Sequence, residues 1–448
     1  MQFVPDVRQK PLPRFDPVLG TLLSLLQQRE HDLELLGMAR FNVDAVKAAL
    51  ANSLPKLIYA DISAVCGDIA RRTMQYIQEH EFLPIVAGGE FATVAPERAL
   101  SLPGVEAAAI GEPDASLMTY FERIKDPAIG QVVQGVWLRD ERGLARPKMP
   151  ALIEDLDSLP FPERDLFGYT EYVARTGEIE IAVGRGCPQV CRYCMNDTVR
   201  SLYQPGAGWV RRRSADNVLE EIAALRERYS GVRLVRFLDH AFALNPSWLA
   251  PFLDAYKRAC DLPFRCHLRA NALGQNEAEQ LKEAGCRMAD IEVISSSNLI
   301  RDEIFDMRVE AEDLERTFRL LREAKIRTRA VMYFGSPYES EASLERAVGL
   351  LRKLQPDTVD ARAYYPFPGT QAVQTCRENG WLHSRGDEQY HNDSAGIDIP
   401  ACRPEIVAAF VKRIRGEFAG TLSEPWWRRW SNASRTALGV WMPKKPDR

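Results

Sequence analysis

The chain has no apolar run approaching the roughly 20 residues that a membrane-spanning helix needs. Its opening stretch, MQFVPDVRQKPLPRF, lacks the apolar core of a secretory signal. A dominant charge is also missing: 58 Lys and Arg stand against 62 Asp and Glu, for a formal net charge of -4. That balance gives no electrostatic footing for nucleic acid or an anionic membrane. The run Arg211-Arg212-Arg213 is local and reads by itself as a solvated loop. There is no short-period repeat and no low-complexity segment. Cysteine is scarce and odd in number, nine in 448 residues, which suits metal binding and buried thiols better than a disulfide framework. These absences point to a cytoplasmic, reducing compartment.

What is present is an ordinary globular composition, 46% hydrophobic and 27% charged, in a chain long enough for two or three domains. Two stretches alternate strand and helix patterns. In the first, a helix over Val18–Glu30 leads to LELL (33–36). Helical runs at 43–52 and 69–78 then separate LIYADI, PIVAGG and VEAAAIG. Short apolar runs between such helices predict βαβ units, here a Rossmann-like (flavodoxin-like) open parallel sheet over 1–128. The first strand is minimal, within QFVPDV. Residues 129–172, with a strand pattern VVQGVWL and then proline and acid, read as a linker.

The second stretch, 173–382, carries strand patterns at 178–184, 232–238, 263–269, 287–293, 327–334 and 358–365. Helices capped by Ser214 and by Asn245–Pro246 follow the first two, with more at 276–284, 310–325, 340–354 and 369–378. Six such units predict a partial (βα)6 TIM-like barrel, with its chemistry at the carboxyl ends of the strands. Residues 383–448 form a helical C-terminal extension, where Trp426, Trp427 and Trp430 either pack or line a pocket.

The sequence GRGCPQVCRYCMND sets Cys187, Cys191 and Cys194 at C-x3-C-x2-C spacing directly after the first barrel strand. One loop of that spacing folds round a single 4Fe–4S cluster, each thiolate taking one iron. The fourth iron is then left for the amino and carboxylate groups of S-adenosylmethionine. An electron passed from cluster to sulfonium would release a 5′-deoxyadenosyl radical. Zinc and three incidental cysteines are the alternatives. Zinc normally wants a fourth Cys or His, and none lies within about forty residues downstream.

From these residues the chain resembles a radical S-adenosylmethionine enzyme of the cobalamin-binding class, methyltransferase-like, over nearly its whole length. The resemblance implies that Cys187, Cys191 and Cys194 hold the cluster and that Tyr193 lies near the adenine. FLDHAFALN implies that Asp239 approaches the methionine amino group, and HLRANAL supplies Arg269 as the third-strand arginine. FGSP and YYPFPGT resemble the fifth- and sixth-strand turns, with Gly335 and Tyr365 as S-adenosylmethionine contacts. After the fourth strand many relatives carry Gly-x-Glu-Ser-Gly. Here Ser295 holds the serine position, but Ile294 stands where the glutamate would be. Read singly, Asp239 could cap a loop, Arg269 could form a surface ion pair, and His240 suits a hydrogen-bonded packing role.

In the first domain, VAGGEFAT and AAAIGEPD end strands in glycine, which lets backbone approach a bulky ligand. No G-x-G-x-x-G opens the first helix, which argues against a nicotinamide dinucleotide. The resemblance implies cobalamin across the sheet edge, its lower face over the 61–66 loop. The implied contacts are Leu19, Ser63, Val65, Gly88, Gly89, Glu90, Phe91, Thr93, Gly111 and Glu112. The D-x-H-x-x-G motif is absent, so cobalt would have no histidine beneath it.

The function implied is methylation of an unactivated carbon of a small molecule or natural-product precursor. An electron donor such as flavodoxin or ferredoxin would serve it, with no nucleic acid partner and no membrane span. A cyclisation or rearrangement is the close alternative, as is a degenerate first domain that binds no cobalamin. Methylthio transfer would bring three more cluster cysteines in the first domain, which has Cys66 alone. Cys260, Cys266, Cys286, Cys376 and Cys402 read as core thiols. A non-enzymatic sensor would have lost the strand-end segments. No general acid or base is assignable from the sequence.

Overall fold

The computed structural model describes residues 1–4, 13–125, 132–140, 143–240, 242–382 and 396–419. Trp426, Trp427 and Trp430 of the C-terminal extension lie outside them. None of the described helices is long and apolar enough to cross a membrane.

The first sheet contains β1 (Gln2–Phe3), β2 (Gly37–Met38), β3 (Ile58–Ile62), β4 (Ile85–Gly88), β5 (Val105–Ala109), β6 (Val136–Asp140) and β7 (Gly143–Ala145), in the order β2-β1-β3-β4-β5-β6-β7. The first five strands run parallel in the flavodoxin-like order 2-1-3-4-5. The expected open parallel sheet is present, and β6 and β7, which come from the stretch read as linker, extend it at one edge as an antiparallel pair.

Period-two alternation gives this sheet two buried faces. Ile58, Ala60, Ile62, Ile85 and Ala87 pack under the helix Gly67–His80. Val86, Ala107 and Ala109 pack against Leu19, Leu22, Leu23 and Leu117 from the helices Pro17–Gln27 and Pro113–Lys125. The former helix starts on Asp16, whose carboxylate accepts from the Leu19 N–H, with Pro17 at its first position.

The second sheet holds β8 (Glu178–Ile181), β11 (Leu234–Phe237), β12 (Phe264–Leu268), β13 (Cys286–Ile294), β14 (Arg327–Phe334) and β15 (Thr358–Ala363). All its neighbours pair in parallel, in the order β15-β14-β13-β12-β11-β8. Between β8 and β11 a two-stranded ribbon forms from β9 (Gly184–Arg185) and β10 (Arg211–Arg212). Ser214 and Asn245 cap their helices as expected, accepting from the N–H groups of Asn217 and Trp248. Outward-facing Ile179, Val235, Phe264, Ile291 and Met332 join one large core with the surrounding helices. The inward positions are instead charged. Glu178 pairs with Arg265, Glu180 with Arg236, and Asp290 with Arg329 in bidentate fashion. The barrel floor is therefore an ion-pair lattice.

Candidate functional site

Cys187, Cys191 and Cys194 lie in the loop after β9, at the carboxyl end of the first barrel strand, and all three are free thiols. Gly186 makes the entry to this loop possible. Its φ is +79°, and a Cβ there would lie 2.0 Å from the Trp209 carbonyl oxygen. Trp209 Nε1 in turn donates to the Cys187 carbonyl, and the Cys194 N–H closes a turn onto the Cys191 carbonyl. Burial pushes all three thiols up, Cys194 to about 12. A thiolate here therefore needs a cationic partner. One is Arg269, which follows β12 and is 4% exposed: its Nη1 is 3.3 Å from Cys191 Sγ, and its Nη2 donates to the Met307 carbonyl. That removes the surface ion-pair alternative for Arg269. No three His, Cys, Asp or Glu side chains among the described residues gather as around a single metal ion. Thiolates on separate corners of a cubane need not.

Around this loop the structure places the other candidates as follows. The Tyr193 ring packs 4.9 Å from Phe305, and its hydroxyl is pushed well up by burial and by Glu292. Asp239 accepts from the Val183 N–H at 2.7 Å and pairs with Arg212 Nη1 at 2.9 Å, so it ties the end of β11 to the ribbon. Ser295 is fully buried, with its Oγ accepting from the Ser297 N–H and its carbonyl accepting from Arg301. Ile294 adopts φ +63°, a left-handed conformation unusual for a β-branched residue, beside a register shift in β13. Gly335 turns at φ +81° and donates to the carboxylate of Glu339. Tyr365 packs against the core of the first domain, in the seam between the two sheets.

Several groups escaped the sequence reading. Glu292 faces inward from β13 and meets His240 Nδ1 at 2.8 Å. His240 stacks on His267, which burial pushes down to about 3. Burial would raise Glu292, but the hydrogen bond and charge of His240, with Arg269, hold it below the ordinary carboxylate range. A signal was available: Glu178/Glu180, Arg265/His267 and Asp290/Glu292 put charges at every second position of strands that should be continuously apolar. The arginine run was misread for a related reason, since loop charge alone does not show where partners lie. The structure corrects the solvated loop: Arg211 pairs with Glu112, Arg212 with Asp239, and Arg213 with the fully buried Glu221.

At the edge of the first sheet, Glu90 accepts from Ser63 Oγ and from the Ala64 N–H, and burial raises its carboxyl. Thr93 Oγ1 accepts from the Gly111 N–H, while Leu19, Val65 and Phe91 are core residues. The space left by the glycines is occupied by protein. A Cβ on Gly88 would lie 2.1 Å from the Tyr59 hydroxyl, and one on Gly111 2.3 Å from the Tyr203 hydroxyl. A Cβ on Gly89 would lie 2.7 Å from Asp61 Oδ1. Glu112 bridges the domains, pairing with Arg185 at 2.9 Å and with Arg211, while Asp114 also holds Arg185. Arg185 is two residues before the first cluster cysteine.

With this geometry in place, comparison with known proteins is informative. A family model for the radical SAM superfamily matches residues 181–351. An uncharacterized methyltransferase of Pyrococcus horikoshii is 25% identical over 84% of this chain and 81% of its own. Among solved structures, the methyltransferase TsrM from Kitasatospora setae, with cobalamin and a [4Fe-4S] cluster bound, superposes at a TM-score of 0.64. It is 19% identical, over 84% of this chain and 77% of its own. The cobalamin-dependent radical enzyme OxsB reaches 0.64 at 15% identity, over 97% of this chain and 61% of its own. These two likenesses show a shared fold.

Proposed function

We propose, from the premise that residues 181–351 are a radical S-adenosylmethionine domain, that the chain is a cobalamin-dependent methyltransferase acting on an unactivated carbon of a small molecule. The observation that carries this is the loop of three free thiols at the first strand end of the barrel, Cys191 buried and Cys187 and Cys194 half-buried. That loop is joined through Arg185 to the ligand edge of a flavodoxin-like sheet.

Cys187, Cys191 and Cys194 would hold three irons of a 4Fe–4S cluster, with Arg269 offsetting thiolate charge at Cys191. The donor set fits, because burial disfavours free thiolates here until a metal takes them. For the corrinoid, a sheet of order 2-1-3-4-5 puts its ligand at the switch point between β1 and β3, which is the Ser63–Val65 loop. Ser63 and Glu90 there supply hydrogen-bonding groups suited to a rim of amides. No histidine lies in residues 61–66, so cobalt would lack one below it. Toward Gly88 and Gly111 the fit is partial, because Tyr59 and Tyr203 already lie against those glycines. When bound, the cluster supplies an electron for sulfonium cleavage and the corrinoid supplies the methyl group. The protein's own part is to hold both against the substrate and to exclude water. That both the P. horikoshii relative and TsrM are named methyltransferases supports the methyl-transfer reading. A soluble electron donor such as flavodoxin or ferredoxin completes it.

Anaerobic reconstitution should give about four irons per chain, and 5′-deoxyadenosine should form from S-adenosylmethionine with a reductant. The Cys191→Ala chain should lose both; retention of both would overturn the cluster assignment. Wild-type protein incubated with hydroxocobalamin and desalted should keep a corrinoid visible spectrum. A colourless product would reduce the first domain to a scaffold.

A further inference from the structure

His240 follows β11 and Glu292 belongs to β13, so the pair spans the barrel mouth from two different strands. Glu292 takes up His240 Nδ1 at 2.8 Å, which directs Nε2 away from the carboxylate. No hydrogen bond to that Nε2 occurs among the described residues. The imidazole side chain is 64% exposed, whereas Glu292 beneath it is 14% exposed. The pair therefore presents an oriented imidazole edge at the mouth. Glu292 is also near enough to the cysteine loop for its charge to raise Cys187, Cys191, Cys194 and Arg269, each as a lesser effect. Farther along, Ile294 ends β13 as an apolar residue 1% exposed, and the Ser295 hydroxyl that follows is fully buried and accepts from the Ser297 N–H.

We propose that His240, held by Glu292, is a positioning residue for S-adenosylmethionine: its Nε2 makes a hydrogen bond to an oxygen of that substrate, either a ribose hydroxyl or the methionine carboxylate. The inference rests on the reading of the site given above. A carboxylate–imidazole pair suits both oxygens. With Nδ1–H given to Glu292, a neutral ring offers a lone pair at Nε2 to a hydroxyl proton. A protonated ring offers Nε2–H to a carboxylate. The hydrogen bond to Glu292 holds His240 above its ordinary range. The other charges facing it are already engaged. Arg236 pairs with Glu180, Asp239 with Arg212, and Asp290 with Arg329, while Arg269 lies on Cys191. His267, stacked beneath, is neutral through burial.

Calorimetric titration of the anaerobically reconstituted chain with S-adenosylhomocysteine and with 5′-methylthioadenosine, from about pH 6 to about pH 8.5, tests this. His240→Ala is expected to weaken S-adenosylhomocysteine binding about tenfold to a hundredfold. His240→Gln, which keeps a hydrogen-bonding amide, should recover most of that loss. Iron content should not change in either variant, whereas His240→Ala, which strips the buried Glu292 of its partner, should lower the thermal midpoint and His240→Gln should restore part of it. If 5′-methylthioadenosine shares the loss, the contact is the ribose. If the loss is confined to S-adenosylhomocysteine, the contact is the carboxylate; wild-type affinity then falls as pH rises through the His240 titration, and that of His240→Gln stays flat. Variants that bind S-adenosylhomocysteine like the wild type across the range overturn the proposal. A wild-type chain that binds none overturns the reading of the site itself, and the anchor with it.

Discussion

At the barrel mouth the strand ends are lined by charged side chains drawn from several elements. Arg269 comes from the third strand end, Glu292 from the fourth strand, and Asp239 and His240 from the second strand end. At the edge of the first sheet the corresponding positions are glycines, with Tyr59, Asp61 and Tyr203 closely packed against them and Ser63, Glu90 and Thr93 alongside. The barrel site is thus made of charges paired in a lattice, and the sheet-edge site of side chains fitted tightly against glycine backbone. The two are linked by Glu112, whose carboxylate meets Arg185 next to the cluster loop and Arg211 in the ribbon. A site made of charges tolerates little loss of a partner, while one made of shape is sensitive to volume. That contrast sets the order of the effects below.

The largest effect is expected at the link. Glu112→Gln removes the carboxylate shared by two guanidiniums that are themselves 12% and 5% exposed. Arg185 keeps Asp114, but Arg211 keeps just the Ile153 carbonyl. Leaving a buried charge without its partner costs about 3 kcal/mol or more. Denaturant unfolding of the wild type and the variant at neutral pH measures it. A loss under about 0.5 kcal/mol would mean that the bridge is no stronger than a surface pair and that the two regions are energetically separate.

Next is a pH effect on the barrel side, which Glu339→Gln separates from the similarly raised Asp61 of the first sheet. Glu339 lies under the turn after β14, where one of its oxygens accepts from the Gly335 and Ser336 N–H groups. Burial pushes its carboxyl up from 4.5 to about 7. A raised folded value means that this group's stabilising contribution is complete below about pH 4.5 and is lost as pH rises through about 7. The span corresponds to roughly 3 kcal/mol at most. Glu339→Gln keeps the accepting oxygen and removes the titration. Thermal midpoints at pH 5 and pH 8 should therefore diverge less for the variant than for the wild type, by about that free energy. Equal divergence in both proteins would show that Glu339 is ionised without penalty.

The same contrast decides what could be read from the sequence. The placing of Cys187, Cys191 and Cys194 in one loop after the first barrel strand was legible because their spacing and the strand before them are local features of the sequence. The open parallel sheet followed from the βαβ rhythm, although β1 and β2 are two residues each; the order of its strands came from the structure. The antiparallel hairpin β6–β7 was hidden by its proline- and acid-rich surroundings. The partners of Arg211, Arg212 and Arg213 were hidden because Glu112, Asp239 and Glu221 lie far away in sequence and a charge run does not name its counterions. Glu292 was passed over because attention fell on Ile294, two residues along the same strand. The glycines at 88 and 111 were read as room for a ligand, when room for a neighbouring side chain has the same signature.

Gly88 therefore gives the sharpest, and smallest, test of the comparison. Its own φ of -146° is open to any residue, so a substitution there meets a problem of space and not of backbone. Gly88→Ala would put a methyl group 2.1 Å from the Tyr59 hydroxyl and within 2.6 Å of two ring carbons. Tyr59 is packed into the core on that face of the sheet, so it has to shift, at a cost of about 1–3 kcal/mol. Tyr59→Ala creates the room, and the double variant should recover part of the Gly88→Ala loss, with a coupling energy of about 1 kcal/mol or more. If the glycine instead serves a corrinoid alone, Gly88→Ala leaves the stability of the ligand-free chain unchanged and weakens corrinoid retention alone. Measuring both in the same preparations separates the two outcomes. A loss of stability without ligand would place the first cost of that methyl in the packing of Tyr59, so that any ligand reaching Gly88 must first move this ring.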